Sequence, residues 1–155
     1  MARQPATNRV VPRAELEDFI RGRHQGVLST ARLDGRPQMS PVTMGLDLDG
    51  TIVIATYPRR AKAINARRQP EVSVCVLSDD FGGEWVQVYG SAEVLGGQEA
   101  VEPLVDYFRV IAGEHPNWDE YRQAMIDQDK VLLRVEIESW GPISRGGFPP
   151  HLADG

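Results

Sequence analysis

Between Gly26 and Leu95 apolar runs bounded by turn signals predict five strands, and alternation of period two is clearest in the last of them, from Glu84 to Leu95. Gly26 to Leu33 is the first such run; Asp34-Gly35, a strong hairpin dipeptide, ends it, and Arg36 to Leu46 returns as a second strand. Asp49-Gly50 repeats the turn signal before Thr51 to Tyr57, whose nearly all-apolar makeup predicts a third strand covered on both faces. Glu71 to Leu77 and Glu84 to Leu95 supply the fourth and fifth. In the fifth, Val86, Val88, Ala92 and Val94 share one face, while Trp85, Gln87, Tyr89, Ser91 and Glu93 share the other. That mixed aromatic and polar row suits an interface or a ligand better than the inside of a monomeric barrel.

Elsewhere the period lengthens to that of a helix. Pro12 opens a segment with Leu16, Phe19 and Ile20 on one stripe. Val101, Leu104, Val105, Phe108, Ile111 and Ala112 form a longer stripe, with Pro103 expected in its first turn. Asn117, followed three residues later by Glu120, predicts a capped helix with Trp118, Tyr121, Met125 and Ile126 inward. Val131 to Glu138 is a sixth strand. Six strands joined mostly by tight antiparallel turns predict an α+β fold built on a small six-stranded antiparallel barrel, closed so that no edge is bare. The expected domain spans residues 13–140, between a flexible arm over 1–12 and an extended tail over 141–155.

The length of 155 residues suits one domain. Cys75 is the sole cysteine, which excludes an intramolecular disulfide, and its apolar neighbours predict an inert buried thiol in a reducing cytoplasm. Residues 1–12 lack a signal-peptide core, and no run approaches the roughly 18 apolar residues of a membrane span. His24, His115 and His151 stand apart from other ligand types, so no metal site is expected. No GxGxxG, Walker loop or GxSxG elbow occurs. Side chains alone therefore define no enzyme, and any chemistry would fall to a bound cofactor.

Charge changes this picture. Residues 59–70 hold five of the 17 Lys and Arg residues and none of the 22 Asp and Glu, in a chain of formal charge −5. Pro58 ends the preceding strand, and Ala61, Ala63, Ile64 and Ala66 favour a short helix starting near Arg59 or Arg60. Cations at that end oppose the helix dipole unless an anion sits there, so the pattern predicts a phosphate site; the alternative is a solvated basic helix on an acidic protein. The segment is too short to track a nucleic-acid backbone.

Four stretches in order, Gly26-Val27-Leu28-Ser29-Thr30 through Asp34 to Val42, Thr51 to Tyr57, Arg60 to Pro70, and Trp85 to Ala92, resemble the flavin and deazaflavin split-barrel superfamily typified by pyridoxamine 5'-phosphate oxidase. Residues 111–125 look like its actinobacterial branch that binds coenzyme F420, an 8-hydroxy-5-deazaflavin. The resemblance implies a homodimer with two cofactors at the interface. It implies that Arg60, Ala61, Lys62 and Asn65 hold the phosphate and tail, that Gln38, Met39, Ser40, Pro41 and Val42 line the ring with Ala55 and Thr56 beside it, and that Trp85 and Gln87 come from the partner. The C-terminal stretch carries Phe148-Pro149-Pro150-His151-Leu152 and not the arginine-rich pattern expected for pyridoxal phosphate recognition.

F420 carries several negative charges in a line where flavin mononucleotide (FMN) has one compact dianion, and a row of Arg59, Arg60, Lys62, Arg67 and Arg68 suits the longer anion. The expected activity is an F420H2-dependent reductase that passes a hydride from the deazaflavin C5 to an activated double bond of a small organic molecule. The alternatives are an FMN-dependent oxidoreductase of the same fold and a non-catalytic protein holding F420 or a haem-type ligand. Tyr57, Tyr89 and His151 are candidate proton donors, with solvent as the other possibility.

Overall fold

In a computed structural model that describes residues 2–154, the chain runs β1 (Thr7–Arg9), α1 (Arg13–Ile20), β2 (Gln25–Ala31), β3 (Pro37–Leu46), β4 (Ile52–Thr56), α2 (Ala61–Arg68), β5 (Glu71–Val76), β6 (Val86–Leu95), α3 (Gln98–Ala112), α4 (Trp118–Asp127), β7 (Val131–Trp140), β8 (Ile143–Arg145) and α5 (Pro150–Ala153). The two Asp-Gly signals mark real reversals: Gly35 and Gly50 take φ of 84° and 76°, a conformation open to glycine at no steric cost, and join β2 to β3 and β3 to β4. Six strands close a barrel in the order β2-β3-β4-β7-β6-β5, every pair antiparallel.

Alternation decides the interior. Leu28, Ile52, Ile54, Val74, Val76, Val88, Leu133 and Val135 fill the barrel, and helices plug its two ends. Leu16, Phe19 and Ile20 of α1 close the end near the Gly50 turn; Ala63 and Ala66 of α2 close the other, beside Thr30 and Ala31. A second cluster lies outside the wall, where Val53 and Leu132 meet Ala100, Leu104 and Val105 of α3 and Tyr121 and Met125 of α4. β4 is thus covered on both faces, as its composition predicts. Asn117 caps α4, its side-chain oxygen accepting from Glu120 N–H at 3.1 Å.

Several expectations are corrected. Pro103 lies in the second turn of α3, because the helix begins at Gln98, directly after Gly97 turns the chain at φ 62°. Ile126 is 42% exposed, since α3 covers only the Tyr121 and Met125 stripe. Cys75 is half-buried on the outside of the wall, because Val72, Val74 and Val76 take the inner positions of β5; partial burial raises its thiol pKa. The arm and tail are tied to each other in part, Thr7–Arg9 pairing with Ile143–Arg145. The barrel also keeps one bare edge. β3 pairs with β2 over seven residues, Pro37 to Thr43, but with β4 only over Met44 to Leu46.

Candidate functional site

That edge is the first half of the site. Met44 N–H bonds His24 C=O, so along β3 the even-numbered residues turn their backbone groups toward β2 and the odd-numbered ones away from it. The Met39 N–H and C=O and the Pro41 C=O therefore point out of the sheet where β4 is absent. Pro41, which has no N–H to lose, fits an edge. Side chains of Gln38, Ser40 and Val42 turn toward the inner side, partly buried, while Met39 is 62% exposed on the outer side.

The second half is the start of α2. Arg60 occupies the N-cap without a side-chain cap, and Ala61 and Lys62 N–H have no partner among the described residues. Three cations gather there, Arg59, Arg60 and Lys62, and among the described residues none forms an ion pair. Desolvation first, and Arg60 second, push the Lys62 pKa down from the ordinary lysine value. An empty site thus crowds its own cations. Lys130, which the sequence did not single out, joins them: its ammonium lies 4.9 Å from the Tyr57 ring centroid and the Arg60 guanidinium 5.9 Å from the same ring. Its distance from residues 59–62 in sequence hid it; the pairing of Val131 with Thr56 places it beside α2.

The other predicted residues divide. Asn65 is buried, its amide nitrogen donating to Thr30 Oγ1 at 3.1 Å and its oxygen accepting from Arg68 at 2.9 Å. It ties α2 to β2 and is engaged inside the fold. Arg68 also donates to Ala31 C=O at 2.6 Å, and Arg67 lies toward Gly96, so the expected row of five cations is broken after Lys62. Thr56 is buried at the end of β4, and Ala55 faces the α3 cluster. Gln87 stands on β6 and Trp85 directly before it, three strand spacings or about 14 Å along the wall from β3 across β2 and β5, so they cannot line the same half-site as Met39 of their own chain. Of the proton-donor candidates, Tyr57 lies at the α2 site with its hydroxyl 3.4 Å from Gln128 Oε1, whereas Tyr89 is on the outer face of β6 and His151 is exposed in α5.

Outward residues of β2, β3, β5 and β6 form a face that α1 to α4 do not bury: Val27, Met39, Pro41, Cys75, Gln87 and Tyr89 all retain exposure there. A cavity of about 490 Å³ lies elsewhere, between α3 and the β3–β4 turn, and its Arg134 already pairs with Asp47 and Asp49. At the predicted residues a single chain therefore offers the expected ligand an open half-site. Among the described residues no group of three or more His, Cys, Asp or Glu could hold a metal, and no helix is long and apolar enough to cross a membrane.

Residues 12–144 match the family model described as pyridoxamine 5'-phosphate oxidase. A conserved hypothetical protein of Mycobacterium tuberculosis is similar in fold, with a TM-score of 0.72 and 24% identity over 90% of this chain and 89% of its own. A structure described as an F420 reductase aligns with a TM-score of 0.59 and 19% identity over 81% of this chain and 94% of its own. A FAD-binding protein of Mesorhizobium loti aligns with a TM-score of 0.63 and 18% identity, over 91% and 98%. At these identities the structural likenesses show the fold.

Proposed function

Because the chain belongs to the pyridoxamine 5'-phosphate oxidase family, we propose that it is a homodimeric F420H2-dependent reductase acting on an activated double bond of a small organic molecule. The observation that carries this reading is the pairing of two unsatisfied features: the bare backbone edge at Met39 and Pro41, and the uncapped, cation-lined start of α2, which also packs against β3. One is built to hydrogen-bond the rim of a planar ring, the other to hold its phosphate. When bound, the reduced deazaflavin supplies a hydride from C5. The chain's part is orientation: Gln38 to Val42 hold the ring, Ala61 and Lys62 N–H with the Arg60 and Lys62 side chains hold the phosphate, and Arg59 and Lys130 extend the positive strip along the tail. The sharing of the fold with an F420 reductase and the character of residues 111–125 support F420.

FMN is the second reading. The break in the cation row after Lys62 favours it, because a compact cluster without Arg67 and Arg68 matches one compact dianion. Calorimetric titration separates the two: F420 should bind more tightly than FMN, with an advantage that shrinks as salt rises and the Debye length falls to about 8 Å. Equal or tighter binding of FMN at low salt overturns the F420 reading. Turnover of reduced cofactor with a panel of enones then separates a reductase from a protein that only stores its ligand.

The uncovered face needs a partner, and a second copy brings Trp85 and Gln87 to the half-site that their own chain cannot complete. Light scattering should show a dimer at micromolar concentration, with an interface above about 2,000 Å² in total. A monomer with cofactor fully bound rules out the shared site.

A further inference from the structure

Pairing between β3 and β4 stops at Met44 and Ile54, and the same register continued would next set Thr43 opposite Ala55. At that fork stands Tyr107, from the middle of α3. Its hydroxyl donates to the Thr43 carbonyl at 3.1 Å, and the Ala55 backbone N–H approaches the same hydroxyl oxygen. The ring packs against the cluster that holds α3 and α4 to the wall. Burial, the larger influence, raises the phenol pKa and so keeps the group a donor.

α3 can approach the fork because Gly45 has no side chain: a Cβ there would stand 2.5 Å from Val110 Cγ1 and 3.2 Å from Ile111 Cδ1. Gly45 admits the helix, and the helix brings Tyr107 to the first unpaired position. Without the hydroxyl, the Thr43 N–H and Ala55 C=O have each other as natural partners. Pairing could extend by that one step only, since Pro41 has no N–H for the next rung.

We propose that Tyr107 is a positioning residue, a wedge that sets where β3 parts from β4 and so fixes how far β4 stands from the Met39–Pro41 edge offered to the cofactor ring. That the open edge serves a cofactor rests on the function proposed above; the wedge does not. The test is Tyr107→Phe, which keeps the packed ring and removes the hydroxyl. Amide hydrogen exchange on the cofactor-free protein should show the Thr43 N–H protected in the variant and fast in the parent. F420 affinity should fall roughly 3- to 10-fold, about the weight of one hydrogen bond. A merely structural hydroxyl would lower the melting temperature and leave Thr43 exchange as it was, which overturns the wedge. Protection at Thr43 with unchanged binding of F420 and FMN overturns its service to the site. A parent that binds neither cofactor removes that service with the proposed function, and the exchange of Thr43 still decides the wedge.

Discussion

Lys62→Ala should weaken cofactor binding by about 10- to 150-fold, the equivalent of a charge-assisted hydrogen bond of roughly 1.5–3 kcal/mol. The loss falls on binding and not on folding. Lys62 is only partly buried, has no anionic partner among the described residues, and carries a pKa pushed down by desolvation and by Arg60, so its removal relieves repulsion in the empty protein. A melting curve without cofactor should therefore be unchanged or slightly raised. The same shift sets a pH dependence. Because the lysine in the empty site loses its proton at a lower pH than usual, binding should weaken as alkaline pH is approached, before the ordinary lysine pKa of 10.5 is reached, and should be accompanied by proton uptake in that range. Lys62→Ala should flatten this part of the profile. Arg67→Ala should cost less, because its guanidinium is directed to Gly96 at the far end of α2. Titration of F420 into each variant beside its cofactor-free melting curve checks all of this. Parent-like binding by Lys62→Ala would leave α2 as a solvated basic helix and remove the anion site from the argument.

Gly90→Ala should destabilise the protein by about 3 kcal/mol or more, a larger effect than deletion of any single surface side chain. Gly90 is buried at an irregularity in the β6–β7 ladder, where Tyr89 pairs with Ser139 but Gly90 pairs with Ile137. A Cβ there would collide with the Glu136 carbonyl oxygen and lie 2.8 Å from Val135 Cγ1. The obstacle is backbone of the neighbouring strand, which cannot rotate away as a side chain could. Relief requires β6 and β7 to separate, and both are barrel walls. Tyr89 beside it stands on the outer face by the unbroken alternation of β6, so a variant in which β6 and β7 have separated should lose dimerisation as well. Denaturant unfolding gives the stability change, and a loss below about 1 kcal/mol would show that the strands yield more easily than the geometry implies.

Asn65 shows what the fold adds to a local reading. The family resemblance implied that it helps hold the phosphate and tail; in the fold it faces the barrel, its amide nitrogen donating to Thr30 and its oxygen accepting from Arg68. Helical spacing contains the clue: Asn65 shares its inward stripe with Ala63 and Ala66, all three buried. Cys75 has a similar history. A run of apolar neighbours suggested burial, but strict alternation with Val72, Val74 and Val76 places it outside.

What the sequence determined by itself is whatever depends on neighbours within a few residues. Alternation set the strands and their inner faces, Asp-Gly placed two hairpins, Asn117 with Glu120 started α4, and the proline and alanines around Arg59 located a helix start with cations and no acid. These follow from backbone sterics, side-chain period and capping, all of them local. The tertiary structure alone decided which backbone groups stay unpaired and which distant charges meet. β3 outruns β4, and only the register of the two strands reveals the bare edge at Met39 and Pro41. Lys130 reaches the Tyr57 ring because β7 pairs with β4, and Tyr107 reaches the fork because Gly45 lets α3 settle there. Such meetings are fixed by strand order and packing across the whole chain, where no short pattern in the sequence records them.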